Sequence, residues 1–337
     1  MKKIILTIAV VVVLTATALI YLLYDIAWKP NSNPKGTEKL IIPIGATFQN
    51  VIDSIEKHNF IKNEKNFQYV AKWLKFPKNI KPGKYEIRAE ENNYYFIKRL
   101  MRGQHYPVKF TFNNIRTKEQ FVEKVGDNFL FEPQELAQLL NDPSFAKRYG
   151  FNTETILTLF IPDSYEIYYD ITAEQFCERL HYYYELFWND ERRQKADNIG
   201  LSPTEVAILA SIVDEESSKA SEKPIIAGLY LNRLKKGMLL QADPTVKFAV
   251  GDVTLKRILY IHTEIDSPYN TYKYAGLPPG PLRIPDKQTL DAVLNYTHHN
   301  FLYMCAKDDL SGYHNFANTL AEHNRNAQKY HRAISRL

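Results

Sequence analysis

The rhythm of apolar positions changes several times along this chain. Ile4 to Tyr24 is an unbroken apolar run without a charged side chain. As a helix rising about 1.5 Å per residue, it is long enough to cross a hydrocarbon layer of roughly 30 Å. Lys2 and Lys3 precede it and favour a cytoplasmic N-terminus, so residues 1–3 are expected inside, 4–24 in the membrane and the rest outside. A cleavable signal peptide is the competing reading, with Ala16-Thr17-Ala18 as a small-x-small site. The apolar run continues for six residues past that site, which favours an uncleaved anchor. Tyr21, Tyr24 and Trp28 would then sit at the outer interface. Residues 25–38, with Pro30, Pro34 and Gly36, read as a linker.

A different rhythm follows over residues 39–88. Leu40 to Ile44 is a short apolar strand broken at Gly45. Thr47 is placed to cap a helix carrying Val51, Ile52 and Ile55 at helical spacing. A second helix spans roughly Glu64 to Leu74, with Phe67, Val70, Ala71 and Leu74 inward. Lys81-Pro82-Gly83-Lys84-Tyr85-Glu86-Ile87 reads as a turn and a strand. This strand–helix–helix–strand order, with Ile-Pro-x-Gly-Ala-Thr and Pro-Gly-x-Tyr, resembles LysM glycan-binding modules, and a purely structural βααβ unit fits it equally well. Further on, 94–102 reads as a helix, and Val108, Phe110 and Phe112 alternate as a strand. Lys118 to about Asp197 is mainly helical, with breaks at Pro133, Pro143 and Pro162. Residues 89–199 are thus a connecting, largely helical part before a final segment, 200–337. The fold class expected is α+β, built from several small units.

The final segment opens with Ser202-Pro203-Thr204-Glu205, a capping box with proline at the first helical position. The helix that follows carries Leu209, Ile212 and Val213 on one stripe, and Glu216 continues that stripe at helical spacing. Asp214 and Glu215 point to other sides. A carboxylate so placed is either paired with a cation at the rim of the core or held protonated by desolvation and nearby negative charge, ready to act as a general acid. Ser221 is placed to cap a next helix, Ile225 to Lys236, ended by Gly237.

Composition narrows the function classes. The 45% apolar and 24% charged residues are globular values. The net charge of +5 comes without a long basic stripe, which argues against nucleic-acid binding. Cys177 and Cys305 are too few for a disulfide framework; two buried thiols are the favoured expectation, with a single long-range disulfide the alternative for an exported domain. His314 and His323 have no ligand partners at metal-site spacing, so neither metal nor cofactor is expected. The 23 Tyr and 18 Phe suit either a core or sugar-stacking surfaces.

After Glu216 come several polar words: Leu240-Gln241-Ala242-Asp243-Pro244-Thr245-Val246, Tyr269-Asn270-Thr271-Tyr272, Gly276-Leu277-Pro278-Pro279-Gly280-Pro281 and His314-Asn315-Phe316-Ala317-Asn318-Thr319. Together with Leu-Ala-Ser-Ile-Val-x-x-Glu and Asn232-Arg233-Leu, they resemble the endolytic murein transglycosylase family (MltG, YceG-like), in order and spacing over about residues 200–337. In that family the Glu closing Ser-Ile-Val-x-x-Glu is catalytic, which corresponds to Glu216. Two departures stand out. Family members usually read Ile-Val-Glu-Lys-Glu-Thr where this chain has Asp214-Glu215-Glu216-Ser217, so a neighbouring carboxylate is easily mistaken for the catalytic one. The Glu that often precedes Phe-Pro-Asp-Thr-Tyr is missing from Thr158 to Tyr165, which keeps only Pro-Asp-x-Tyr.

The resemblance implies cleavage of the MurNAc–GlcNAc bond of peptidoglycan glycan strands with a 1,6-anhydroMurNAc product, no metal, and work beside glycan polymerases. Gln241, Asp243, Thr245, Tyr269, Asn270, Tyr272 and Asn315 are the expected substrate contacts or supports of Glu216. Asp243 reads either as a turn residue before Pro244 or as a second carboxylate. A muramidase-type hydrolase using Glu216 and Asp243, and a non-catalytic cell-wall scaffold, are the rival readings.

Overall fold

The N-terminal apolar run folds as one helix, α1 (Lys2–Ala27), with its side chains exposed until its last turn. It is a candidate membrane span. In this computed structural model residues 2–34, 39–105, 107–252, 254–255 and 257–335 are described. They fall into two units: Met1–Phe110 with Asp127–Glu132 and Glu166–Thr172, and the remainder from Thr111 onward.

In the first unit, β1 (Lys39–Ile42), α2 (Phe48–His58), α3 (Glu64–Trp73) and β2 (Gly83–Glu86) follow in the expected order. β1 and β2 pair antiparallel, Leu40 opposite Tyr85 and Ile42 opposite Gly83. Leu40 and Ile42 alternate inward while Ile41 faces out, as a two-residue period requires. Thr47 caps α2 in a capping box with Asn50. The core is Val51, Ile52, Ile55, Phe67, Val70, Ala71 and Tyr85, and it extends past residue 88 to Phe96, Ile97 and Leu100 of α4 (Asn93–Met101). Arg99 is buried in this unit, bidentate on Glu91 at 3.0 and 2.6 Å.

The stretch expected as a linker is held wherever it is described. Ala27 enters the core, the Asn31 side chain donates to Asn93 Oδ1 at 2.7 Å, and Ser32 N donates to Glu91 O at 3.0 Å. Residues 35–38 of that stretch lie outside the described residues.

β3 (Pro107–Thr111) pairs with β4 (Ser164–Tyr168), and the boundary between the two units falls within both strands. The second unit is mostly helical. α5 (Lys118–Val125), α6 (Pro133–Asn141) and α7 (Pro143–Arg148) come first, and Pro133 and Pro143 open their helices where a missing N–H costs nothing. α8 (Ala173–Phe187) and α9 (Asp190–Ile199) lead to α10 (Pro203–Glu216), capped by Ser202 and Glu205 as the sequence predicts. Every residue of α10 from Val206 to Val213 is buried. The expected single apolar stripe is therefore too narrow a description. α9, α11 (Lys223–Lys235), α12 (Asp243–Val250) and α14 (Lys287–Leu294) surround α10, so small residues such as Ala207 and Ala210 serve as contact points too.

α13 (Tyr260–Thr263) is a single exposed turn after α12. β5 (Tyr303–Ala306) and β6 (His314–Ala317) form an antiparallel hairpin against which α15 (Leu320–Ile334) packs. The observed architecture is a mixture of helices and, among the described residues, two-stranded sheets.

Candidate active site

Three consecutive carboxylates close α10, and each meets a different environment. Asp214 accepts from Lys223 Nζ at 2.6 Å, from Asp286 N at 2.9 Å and from the Thr289 hydroxyl. It is almost fully buried and wholly compensated. Glu215 accepts from Arg116 Nη2 at 2.7 Å and from Arg283 Nη1 at 3.1 Å. Glu216 takes neither path. It accepts a 2.5 Å hydrogen bond at Oε1 from the Tyr230 hydroxyl and opens onto a cavity of ≈ 330 Å³.

The direction follows from helix geometry. Successive residues turn by about 100° around the axis, so three adjacent side chains reach three different neighbours. α10 and α11 pack together, which brings Tyr230 beneath the last turn of α10. Gly228 permits the packing on another side of α11. A Cβ there would lie 2.5 Å from the carbonyl oxygen of Thr297.

Burial among protein atoms pushes the Glu216 carboxyl up to about 7. The Tyr230 hydrogen bond opposes that rise, the Asp243 charge reinforces it, and Lys247 and Arg233 oppose it. Glu216 also ends its helix, where the dipole disfavours negative charge. The same environment raises the Tyr230 hydroxyl well above its ordinary value, so it stays a donor. A carboxyl poised near neutrality on a cleft wall is suited to giving and taking one proton.

Three of the residues expected beside Glu216 line this cleft: Gln241, Asp243 and Tyr272. Gln241 sits in the left-handed region at φ 49°, a conformation a β-carbon disfavours, and its backbone N–H is held by Thr271 O at 3.0 Å. Asp243 does not cap α12. The N-cap is Ala242, and the Asp243 carboxylate instead accepts from the Tyr272 hydroxyl at 2.6 Å. That carboxylate and phenol also line an adjoining cavity of ≈ 520 Å³ walled by Leu259, Tyr260 and Lys273, so the groove continues beyond Glu216.

The other expected contacts lie outside the residues lining this cleft, and two of them are fully buried in its frame. Thr245 is fully buried, bonded to Ala242 O at 2.7 Å and to the Thr271 hydroxyl at 2.8 Å. Asn270, also fully buried, donates to Thr263 O and Ile265 O and accepts from Tyr272 N, which folds the loop that presents Tyr272. Tyr269 packs on Phe248 and donates to Glu154 at 3.1 Å. Asn315 stands opposite Cys305 on β6; Cys305 and the neighbouring His314 line the cleft, and Asn315 is not among the lining residues.

Sequence reasoning missed four residues here. Tyr230 gave no local signal, because only the packing of α10 on α11 joins it to Glu216. Arg233 threads under the cleft, donating to Leu302 O at 2.6 Å and to Leu240 O at 2.9 Å, and fixes two loops at once. Glu222 replaces Ser221 as the N-cap residue of α11. Its carboxylate accepts from His314 N at 2.7 Å and meets His314 Nδ1 at 2.9 Å, which sets the imidazole in the cleft wall. An alternating pattern from His314 was the available clue. Cys177 is buried and Cys305 partly so, both as free thiols, and burial raises each above its ordinary value. Among the described residues no cluster of metal-ligating side chains occurs.

The model of the YceG-like family matches residues 40–329. A Bacillus subtilis protein named endolytic murein transglycosylase is 28% identical over 316 residues, covering 88% of this chain and 85% of the relative. A Streptococcus pneumoniae protein of the same name is 27% identical and covers 89% of this chain, which spans 59% of that longer relative. The crystal structure of a yceG-like protein from Listeria monocytogenes superposes with a TM-score of 0.56 at 26% identity, over 86% of this chain and 99% of the other.

Proposed function

The chain belongs to the YceG-like family, and on that premise we propose that it is an endolytic murein transglycosylase whose acid and base are both Glu216. The observation that carries the assignment of Glu216 is its uncompensated carboxyl on the cleft wall, next to two carboxylates already consumed by cations and hydroxyls.

Glu216, protonated at Oε2 while Tyr230 occupies Oε1, gives its proton to the glycosidic oxygen leaving C1 of N-acetylmuramic acid. The C1–O bond breaks and positive charge develops at C1 and the ring oxygen. The same sugar's C6 hydroxyl attacks C1, and its proton passes to the Glu216 carboxylate. The product is a 1,6-anhydro sugar, the acid is restored, and no water is consumed. An internal nucleophile removes the need for a second carboxylate in that role and gains from proximity. Asp243 acts at one remove by favouring the protonated form of Glu216. Gln241, Tyr272 and His314 face the groove as sugar contacts, and the continuation past Asp243 suits a strand cut within its length.

The anchor reading places the N-terminus in the cytoplasm and the remainder on the extracytoplasmic face, where glycan strands are made. A glycan polymerase supplying nascent strands is the partner class this implies. The βααβ part of the first unit is read as LysM-like, supported by its element order and antiparallel β1–β2 pair.

Purified uncrosslinked glycan strands test the reaction. The wild-type chain is expected to give anhydro-ended fragments, lighter than hydrolytic ones by one water, and Glu216→Gln is expected to give none. Fragments with reducing ends would establish a hydrolase and make Asp243 its second carboxylate. Binding without cleavage would establish a scaffold.

A further inference from the structure

The end of α1 is built into the first unit. Asn93 Nδ2 donates to Ile26 O at 2.8 Å, and Asn31 ties the next turn to Asn63 and Asn93. The Trp28 ring stacks on Tyr94 at 5.7 Å and meets the Trp73 ring edge-on at 6.3 Å. The axis of α1 is therefore fixed relative to α3 and α4, and whatever surrounds Leu23 also meets the adjoining face of this unit.

That face is unusual for a water-facing helix. α3 buries Phe67, Val70 and Ala71, yet Tyr69 and Trp73 on its outer side are 66% and 60% exposed. They are four residues apart and share that side with the exposed Lys65 and Lys72. Between α3 and α1 runs an apolar groove of ≈ 340 Å³, lined by Leu23, Ile26, Trp28, Tyr69, Val70 and Trp73. Its lip, Leu23, belongs to the uncharged run that constitutes the anchor.

We propose that this groove and the outer face of α3 form a lipid-docking surface. Tyr69, Trp73 and Trp28 sit in the interfacial layer of the leaflet where α1 emerges, and Lys65 and Lys72 reach its anionic headgroups. The proposal rests on α1 being inserted. The chemistry fits the layer: indole and phenol rings prefer the interface, and lysines near it are attracted to acidic lipids. The continuity of the groove with α1 commits its occupant to lipid, since a groove beginning on the spanning helix cannot avoid the leaflet around it.

The test uses the full chain in phosphatidylcholine–phosphatidylglycerol vesicles. Trp28→Phe with Trp188→Phe leaves Trp73 as the sole tryptophan of the three in the chain. Lipids brominated near the top of their acyl chains are expected to remove roughly half of the Trp73 emission, with aqueous iodide having little effect. Quenching by iodide alone would put the face in water and overturn the proposal. Shielding from both quenchers would put a protein there and overturn it equally. Should the double variant not fold, the difference between wild type and Trp73→Phe gives the same reading. Flotation with the vesicles checks insertion separately: a chain that floats while Trp73 stays in water refutes only the docking, and a chain that does not float refutes the anchor as well.

Discussion

The two sides of the last turn of α10 contain the same chemical group under opposite rules. On one side, Asp214 and Glu215 are matched by Lys223, Arg116 and Arg283, with hydroxyl and amide donors completing the shell. Such carboxylates are structural: their ionised form is what the fold is built around. On the other side, Glu216 faces a phenol and a second carboxylate, Asp243, with no cation in hydrogen-bond contact among the described residues. Its ionised form is the disfavoured one. The contrast teaches that a carboxyl is kept protonated here by withholding a counter-charge, which is what the proposed role of Glu216 requires, and that one residue along a helix is enough to change the rule.

The largest effect expected is on chemistry. Glu216→Gln should lower strand cleavage by at least about 10³-fold while the chain stays folded. The same variant should become the more stable of the two proteins as pH rises. The folded carboxyl lies near 7 and the unfolded one near 4.5, so the wild type has its full stability only below the lower value and loses it on passing the upper. The gain in the variant, read from denaturant melts at pH 8, is up to roughly 3 kcal/mol. Equal cleavage by Glu216→Gln and wild type would erase the distinction between the two sides.

Asp214→Ala should do the reverse. It leaves Lys223 nearly buried without its partner and should cost about 3–5 kcal/mol in a chemical melt. Cleavage per folded molecule should change little. Loss of activity without loss of stability would move the catalytic role to the wrong side of the turn.

The pH profile of kcat/KM sharpens the comparison. Cleavage should fall as pH rises through about 7, where Glu216 loses its proton. Tyr230→Phe removes a hydrogen bond that favours the carboxylate, so the falling limb should move to higher pH. Asp243→Asn removes a charge that favours the acid, so the limb should move to lower pH. Two variants moving the limb in the same direction would contradict the account of how the site holds its proton.

Glu215→Gln is the smallest change. Its partners Arg116 and Arg283 are 26% and 12% exposed, and glutamine keeps an acceptor for them, so the expected cost is about 1–3 kcal/mol, below that of Asp214→Ala. The position of the pH limb should not move.

Much of this was legible in one dimension. The long apolar N-terminal helix, the βααβ order, the Ser202 capping box and the placing of Glu216 each rest on local signals: an uncharged run, period changes, a cap spacing and a motif. The pattern was least informative where polar residues are clustered. Thr245, Tyr269 and Asn270 look like sugar ligands in sequence, because amides and hydroxyls serve loops and ligands alike. The buried bonds of Thr245 and Asn270 place those two in the loop frame, and Tyr269 bonds to Glu154 away from the residues lining the cleft. The stretch after Ala27 was similarly misleading. Its prolines suggest a linker, but paired asparagine bonds fasten it to α4.

Residue order alone set where α2 and α10 begin, which face of the βααβ unit is apolar, and that three carboxylates end α10. It did so because caps, hydrophobic periods and motif spacings are short-range. Which carboxylate lacks a cation was decided by the tertiary structure alone. Arg116 lies 99 residues from Glu215, Tyr230 lies 14 from Glu216, and Thr289 lies 75 from Asp214. A charge is compensated by what is near in space, and only the packing of α10 against its neighbours fixes that.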